Sequence, residues 1–114
     1  MEWFEVLPKY CPPADSTSPV GEYFKIADGD PAKSNDFFSQ RKLQPEKAFK
    51  GQGIDECITR AASLFKQLSE AQKRLKLPKF RKAVIAKVKL EEKDGLIKKT
   101  FRDSHYSWWR RRGF

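Results

Sequence analysis

At Pro78 the hydrophobic period of this chain changes, and that change limits the class of fold open to it. Before the proline, Ile54, Ile58, Ala61, Phe65, Leu68 and Leu75 recur at intervals of three and four, broken only by Gln72, which puts them on one helical face. After it, Val84, Ala86, Val88 and Leu90 share one face while Lys87 and Lys89 point to the other, with Ile85 the apolar exception. That is the period of a half-buried strand. Proline lacks an amide donor and clashes with the preceding turn, so the two patterns belong to separate elements. A chain that holds both side by side is expected to be α+β.

The helical pattern predicts one principal helix over about 54–77. A competing reading breaks it, because ASLF suits a short strand and Ser69 with Gln72 has the spacing of a capping box; helix is the expectation, with an interruption near Ser63 to Ser69. Beyond Leu90, EEKDG supplies a turn and LIKKTF resumes an extended pattern, which predicts a β-hairpin from 83 to about 101. Upstream, Tyr23, Lys25 and Ala27 alternate with Phe24 and Ile26, as in a half-buried strand. Pro8, Pro12, Pro13 and Pro19 each remove a backbone donor, so an irregular segment is expected over 8–21. Between Lys33 and Gly53 the signal is weak, with a short element around DFFSQRKL, a helical turn in PEKAFK and punctuation at GQG. The expectation is a single domain over 1–114: a small antiparallel sheet, made of the 83–101 hairpin and neighbouring strands, packed against one principal helix.

Such a chain must build its core from aromatic residues. Its charged fraction is 34% and its hydrophobic fraction 39%, leaving nine Phe, three Trp and three Tyr to supply buried area. No apolar run approaches the roughly 18 to 20 residues that span a bilayer, and MEWFEVLPKY lacks a signal-peptide pattern. A cytoplasmic chain with no membrane partner is expected. Cys11 and Cys57 stand apart rather than as CxxC, so neither a zinc site nor a disulfide framework is expected. Cys57, preceded by two acids, reads as a small buried hydrophobe in a reducing compartment.

Charge is divided unevenly. Residues 1–57 carry seven Lys and Arg against ten Asp and Glu, and residues 58–114 carry seventeen against five, so the halves are −3 and +12. Glu70 is the single acid among residues 58–90, beside Arg60, Lys66, Lys73, Arg74, Lys76, Lys79, Arg81, Lys82, Lys87 and Lys89. Exposed ion pairs contribute little, ~0 to 1 kcal/mol, so structural pairing is a weak reason for this excess. Phosphate neutralisation is a stronger one, although a charge run can equally be a solvated face. The chain closes on HYSWWRRRGF, where arginine forks suit phosphate and Tyr or Trp can stack on exposed bases. As a strand, His105, Ser107, Trp109 and Arg111 would share one face and Tyr106, Trp108, Arg110 and Arg112 the other, with Trp109 the more buried tryptophan. Both tryptophans could instead be packing residues.

His105 is the sole histidine, and nothing adjacent completes a catalytic triad with it. DGDPAKSND lacks the ligand spacing of a calcium loop and is better explained by turn chemistry, so no metal is expected. No phosphate-binding glycine motif occurs, and no cofactor is expected. The order of helix, SLF, SEAQKRL, basic strand, DG turn and SHYSWW over 57–109 loosely resembles small bacterial α+β proteins, some similar to ADP-ribosyltransferase-like domains. The resemblance maps no catalytic Glu or NAD-binding Arg onto a residue here.

The leading expectation is a small basic nucleic-acid-binding protein without catalytic activity. Arg81, Lys82, Lys87 and Lys89 would meet phosphates, Arg110, Arg111 and Arg112 phosphates or bases, and Tyr106 and Trp108 would be base platforms. One alternative is a protein-interaction module, a regulator or inhibitor docking on a charged partner such as an acidic protein. Another is a small enzyme using His105, which requires a cleft at His105 and a polar partner within about 3.2 Å.

Overall fold

A computed structural model, which describes residues 2–29, 32–49, 55–100, 105–112 and 114, folds the chain around one antiparallel sheet. Its five strands are β1 (Gly21–Ala27), β2 (Ala62–Phe65), β3 (Val84–Leu90), β4 (Gly95–Lys99) and β5 (His105–Arg110), in the order β3-β1-β2-β5-β4. Among the described residues three α-helices accompany them, α1 (Gln40–Leu43), α2 (Glu56–Thr59) and the longer α3 (Leu68–Leu75), which packs across β1, β2 and β3. The α+β class and the antiparallel sheet are as the periodicities require. Ile54, the GQG at 51–53, Asp30, Phe101, Asp103 and Ser104 lie outside the described residues.

Two pairings differ from expectation. β3 and β4 do not form a hairpin; they are the opposite edges of the sheet. β3 pairs with β1 along its whole length, from Gly21↔Leu90 to Ala27↔Val84, and β4 pairs with β5 from Gly95↔Arg110 to Lys99↔Tyr106. The reason lies at Asp94. Its carboxylate accepts the Glu91 amide at 2.7 Å and so closes a 3-10 turn, while its carbonyl accepts the Trp108 indole N–H and the Arg111 amide, each at 3.0 Å. Those bonds seat the start of β4 against β5. Gly95 follows with φ of 137°, and a side chain there would run into the Trp109 carbonyl, so the glycine serves a close approach rather than a two-residue turn.

This connection also curls the sheet. The five Cα steps from Leu90 to Gly95 reach at most about 18 Å when fully extended, and a 3-10 turn rises only about 2 Å per residue. Edge strands of a flat five-stranded sheet would lie about 19 Å apart. The edges therefore approach each other at this end, and the concave face becomes the core: Tyr23, Leu64, Val88, Leu90, Ile97 and Trp108, closed by Phe37. Phe114 packs its ring edge-on against both Trp108 and Phe37, at 4.9 and 5.3 Å.

The expected single helix over 54–77 is split into α2, β2 and α3. ASLF is a strand, as the competing reading had it, because Ala62 and Leu64 complete the concave core opposite Trp108 and Tyr106. The three-and-four spacing through Ala61 and Phe65 thus mixes a turn with a strand. Only Ala71 of α3 is fully buried against the sheet.

The cysteines are also corrected. Cys11 and Cys57 form a disulfide with Cα atoms 5.5 Å apart, rather than remaining free. Local spacing could not reveal a bond between residues 46 positions apart. It ties the proline-rich segment, irregular as expected, to α2; the same segment covers the β4 edge where Thr17 and Ile97 exchange backbone bonds of 2.8 and 2.9 Å. Closing a loop of this size removes unfolded-chain entropy corresponding to about 4 kcal/mol. Thiol titration of the unreduced protein in denaturant should accordingly find no free thiol, and Cys11→Ala with Cys57→Ala should lower unfolding stability by about 2 to 4 kcal/mol in urea melts.

Candidate nucleic-acid interface

Of the terminal stretch, HYSWWR is strand β5, Arg111 forms an isolated bridge and Arg112 a turn, and most of the strand is unavailable to a ligand. Trp108 and Trp109 face opposite sides of the sheet and both are 0% exposed, which corrects the expectation of one inner and one outer indole. Trp108 lies in the concave core, and Trp109 donates to the Cys57 carbonyl at 2.9 Å beneath α2. Both faces of β5 are covered, so strict alternation does not expose either ring, and Trp108 is no base platform. Tyr106 is half-buried, edge-on to Tyr23 at 5.8 Å. Arg110 is buried, its guanidinium 3.8 Å from the Phe4 ring centre and bonded to the Ser34 carbonyl and hydroxyl. Arg111 is half-buried and bridges to Trp3, and Arg112 is exposed with Glu2 3.7 Å away. These arginines serve the closure of the N-terminal segment over β5, with the Phe4 amide donating to the Arg110 carbonyl and the Arg112 amide to that of Glu2.

The other expected residues fare differently. Lys87 is held by Glu22 at 2.8 Å, and Lys89 stands opposite Glu22 in the β1–β3 register. The hydrogen bond from Lys87, with added charge from Lys87, Lys89 and Lys66, keeps the Glu22 carboxyl below its usual pKa. Arg81 and Lys82, by contrast, are exposed and have no carboxylate partner among the described residues.

They belong to a basic ridge that the chain forms from Lys73 at the end of α3 to Lys82 before β3. α3 begins with Glu70 in its first turn and ends with Lys73 and Arg74, charges that suit the two ends of the helix dipole. Burial of Ala71 turns Lys73 and Lys76 outward, while Arg74, one turn on from Ala71 on the same side, is exposed at the rim beside Phe65. Pro78 then opens a 3-10 turn over Pro78–Phe80, and the amides of Phe80, Arg81 and Ala83 close successive tight turns onto Leu77, Pro78 and Phe80. Lys79, Arg81 and Lys82 thus follow α3 on a path of tight turns. Elsewhere some cations of the basic half meet acids of the other half, namely Lys98 with Asp15 at 3.1 Å, Lys87 with Glu22 and Arg112 with Glu2, while Lys66, Lys89 and Lys99 have no carboxylate partner among the described residues. On the ridge only Lys73 has such a partner among the described residues, Glu70 at 3.5 Å.

Beside the ridge lies a cleft of about 370 Å³, lined by Lys25, Arg74 and Lys79, by Ser63, Gln40 and His105, and by the apolar walls of Ile26, Phe65, Leu77 and Phe80. Among the described residues, three cations and no carboxylate line it. The Arg74 guanidinium lies 5.9 Å from the Phe65 ring centre and the Lys79 ammonium 5.0 Å from that of Phe80. Burial pulls the Lys25 ammonium below its ordinary pKa, against the opposing pull of Asp36 and Asp28. His105 is 9% exposed, with its Nδ1 3.0 Å from Thr100 Oγ1, which in turn lies 2.8 Å from Ser107 Oγ. Burial first, then the charges of Arg74 and Lys25, push its pKa down to about 4. The imidazole is neutral at pH 7. Among the described residues no group of three His, Cys, Asp or Glu could hold a metal ion. Asp36, in the stretch resembling a calcium loop, instead accepts the amides of Asp28 and Lys33 at 2.8 Å each.

Lys25, Lys79, Phe65 and Phe80 were not singled out as site residues from the sequence. One signal was present: Lys25 shares its strand period with Tyr23 and Ala27, where a lysine on a burying face is out of place. No family model, curated protein or solved structure matches this chain.

The depressed His105 pKa has a consequence for stability. Its folded value lies below the unfolded 6.5, so the contribution is present above pH 6.5 and is lost as pH falls toward 4. Urea midpoints should fall between pH 7 and pH 4 by up to the equivalent of about 3 kcal/mol from this group, and His105→Gln should flatten that part of the profile.

Proposed function

We propose that this protein is a small nucleic-acid-binding module that works through the ridge formed by Arg74, Lys76, Lys79, Arg81 and Lys82. The observation that carries the reading is that these five exposed cations fall within nine consecutive residues, 74–82, and none of them has a carboxylate partner among the described residues. A polyanion gains most where no internal acid must be displaced, because releasing its counterions is the driving term. Of the residues expected from sequence, Arg81 and Lys82 stay in the proposed surface, while Lys87 and Lys89 of β3 and Tyr106, Trp108, Arg110, Arg111 and Arg112 at the terminal strand leave it. No described helix is long and apolar enough to cross a membrane. The Cys11–Cys57 bond, of a kind that persists where thiols stay oxidised, weighs against the expected cytoplasmic location.

Arg81→Glu with Lys82→Glu alters two exposed residues and should preserve the fold. Affinity for a mixed-sequence single strand at ~50 mM salt should fall at least about tenfold, and the slope of log K against log salt should shrink by roughly 0.7 to 0.9 for each phosphate no longer neutralised. Undetectable binding of DNA and RNA by the unaltered protein under those conditions overturns the proposal. A protein partner that survives nuclease treatment would favour the interaction-module reading instead.

A second reading rests on His105. It borders the cleft and has Thr100 Oγ1 at 3.0 Å, the geometry that an enzyme using this histidine requires. A neutral imidazole among cations could accept a proton from a ligand hydroxyl whose developing charge the cations offset. Cleavage of single-stranded RNA that disappears in His105→Gln would support it, and RNA left intact by the unaltered protein would end it.

A further inference from the structure

The ridge accounts for internal phosphates of a strand but leaves the cleft beside it without a role. Its chemistry is different. Lys25, Arg74 and Lys79 converge from β1, α3 and the Pro78–Phe80 turn on one cavity of about 370 Å³, at the small end of the range for small-ligand sites. An internal phosphodiester brings a single negative charge and a chain that must both enter and leave. A terminal phosphomonoester brings about −1.5 to −2 charges and one direction of exit. Three cations without an acid among the described lining residues match the second better than the first. The walls supply the rest of a nucleotide: Phe80 is half-buried, with the flexible Lys79 ammonium over its ring, so a base can stack there once that ammonium turns to the phosphate. Arg74 is common to ridge and cleft, so a strand leaving the cleft continues onto Lys76, Arg81 and Lys82.

We infer that the cleft is an end-binding site, which holds the terminal phosphate of a single strand on Lys25, Arg74 and Lys79 and its last base against Phe80. This rests on the nucleic-acid reading above and adds to it what the protein recognises. His105, flanked by Lys25 from β1, Arg74 from α3, and Thr100 and Ser107 on its other side, senses occupancy, because an arriving dianion offsets the two cations that depress it.

The test compares short single-stranded oligonucleotides of one sequence, carrying a 5′-phosphate, a 3′-phosphate or hydroxyls at both ends, by fluorescence anisotropy at ~50 mM salt with the dye on the unmodified end. One of the phosphorylated forms should bind about tenfold more tightly than the hydroxyl form, and Lys25→Met should bring that ratio close to one. A second readout uses the unaltered protein alone: the His105 ring protons, followed by NMR, should titrate at a higher pH when the phosphorylated oligonucleotide is bound. Equal affinity for all three oligonucleotides, with His105 unmoved, overturns the end-binding site and leaves the ridge intact. No binding by any of them overturns both. Adenosine monophosphate that competes only at concentrations far above the phosphorylated oligonucleotide supports a strand end as the ligand; adenosine monophosphate binding more tightly than the oligonucleotide overturns it in favour of a free nucleotide.

Discussion

The bond from the Trp108 indole to the Asp94 carbonyl holds together the parts of this fold that sequence distance would keep apart. It lies inside the concave face, joins the start of β4 to the middle of β5, and is shielded by Phe37 and Phe114. A buried indole N–H without a partner costs on the order of 1 to 3 kcal/mol, so the site tolerates little movement. Because the link from β3 to β4 is short, seating β4 at this point forces the sheet to curl. Curling in turn encloses the aromatic core that a chain with few aliphatic residues needs.

The same arrangement distributes charge. The −3 half of the chain supplies Glu2, Asp15 and Glu22 to the flanks of the sheet, where they meet Arg112, Lys98 and Lys87. Glu56 does likewise for Arg41 and Arg60, at 2.9 and 3.0 Å. Among the described residues, the stretch from Arg74 to Lys82 carries five exposed cations and no acid, with no carboxylate partner to any of them. Exposed pairs of this kind contribute little to stability.

The sequence was most legible where one element obeys one period. β1 and β3 could be read from alternation, and Pro78 separates helix from strand as its chemistry demands. It was least legible where partners are distant. Asp94 and Gly95 have the composition of a hairpin turn, yet their roles are set by Trp108 and Trp109, more than ten positions away. Cys11 and Cys57 offered no local motif, and only the folded path of the proline-rich segment brings them together. WWRRR looked like a ligand-binding run because single-sequence reading assigns one exposed face to a strand; here α2 covers one side, and Phe37, Phe4 and Phe114 the other. The cleft was hidden for the same reason, since its cations come from three elements and only Lys25 stood out of period.

Titration of the isotopically labelled protein with a single-stranded oligonucleotide at ~50 mM salt, followed by backbone and side-chain NMR shifts, bears most directly on where this surface lies. Shifts should concentrate on Arg74, Lys76, Lys79, Phe80, Arg81, Lys82 and the His105 ring, with the buried indoles of Trp108 and Trp109 unchanged. Shifts centred instead on Tyr106, Arg111 and Arg112, or no shifts at all, would contradict the assignment of binding to the α3–β3 ridge and its cleft.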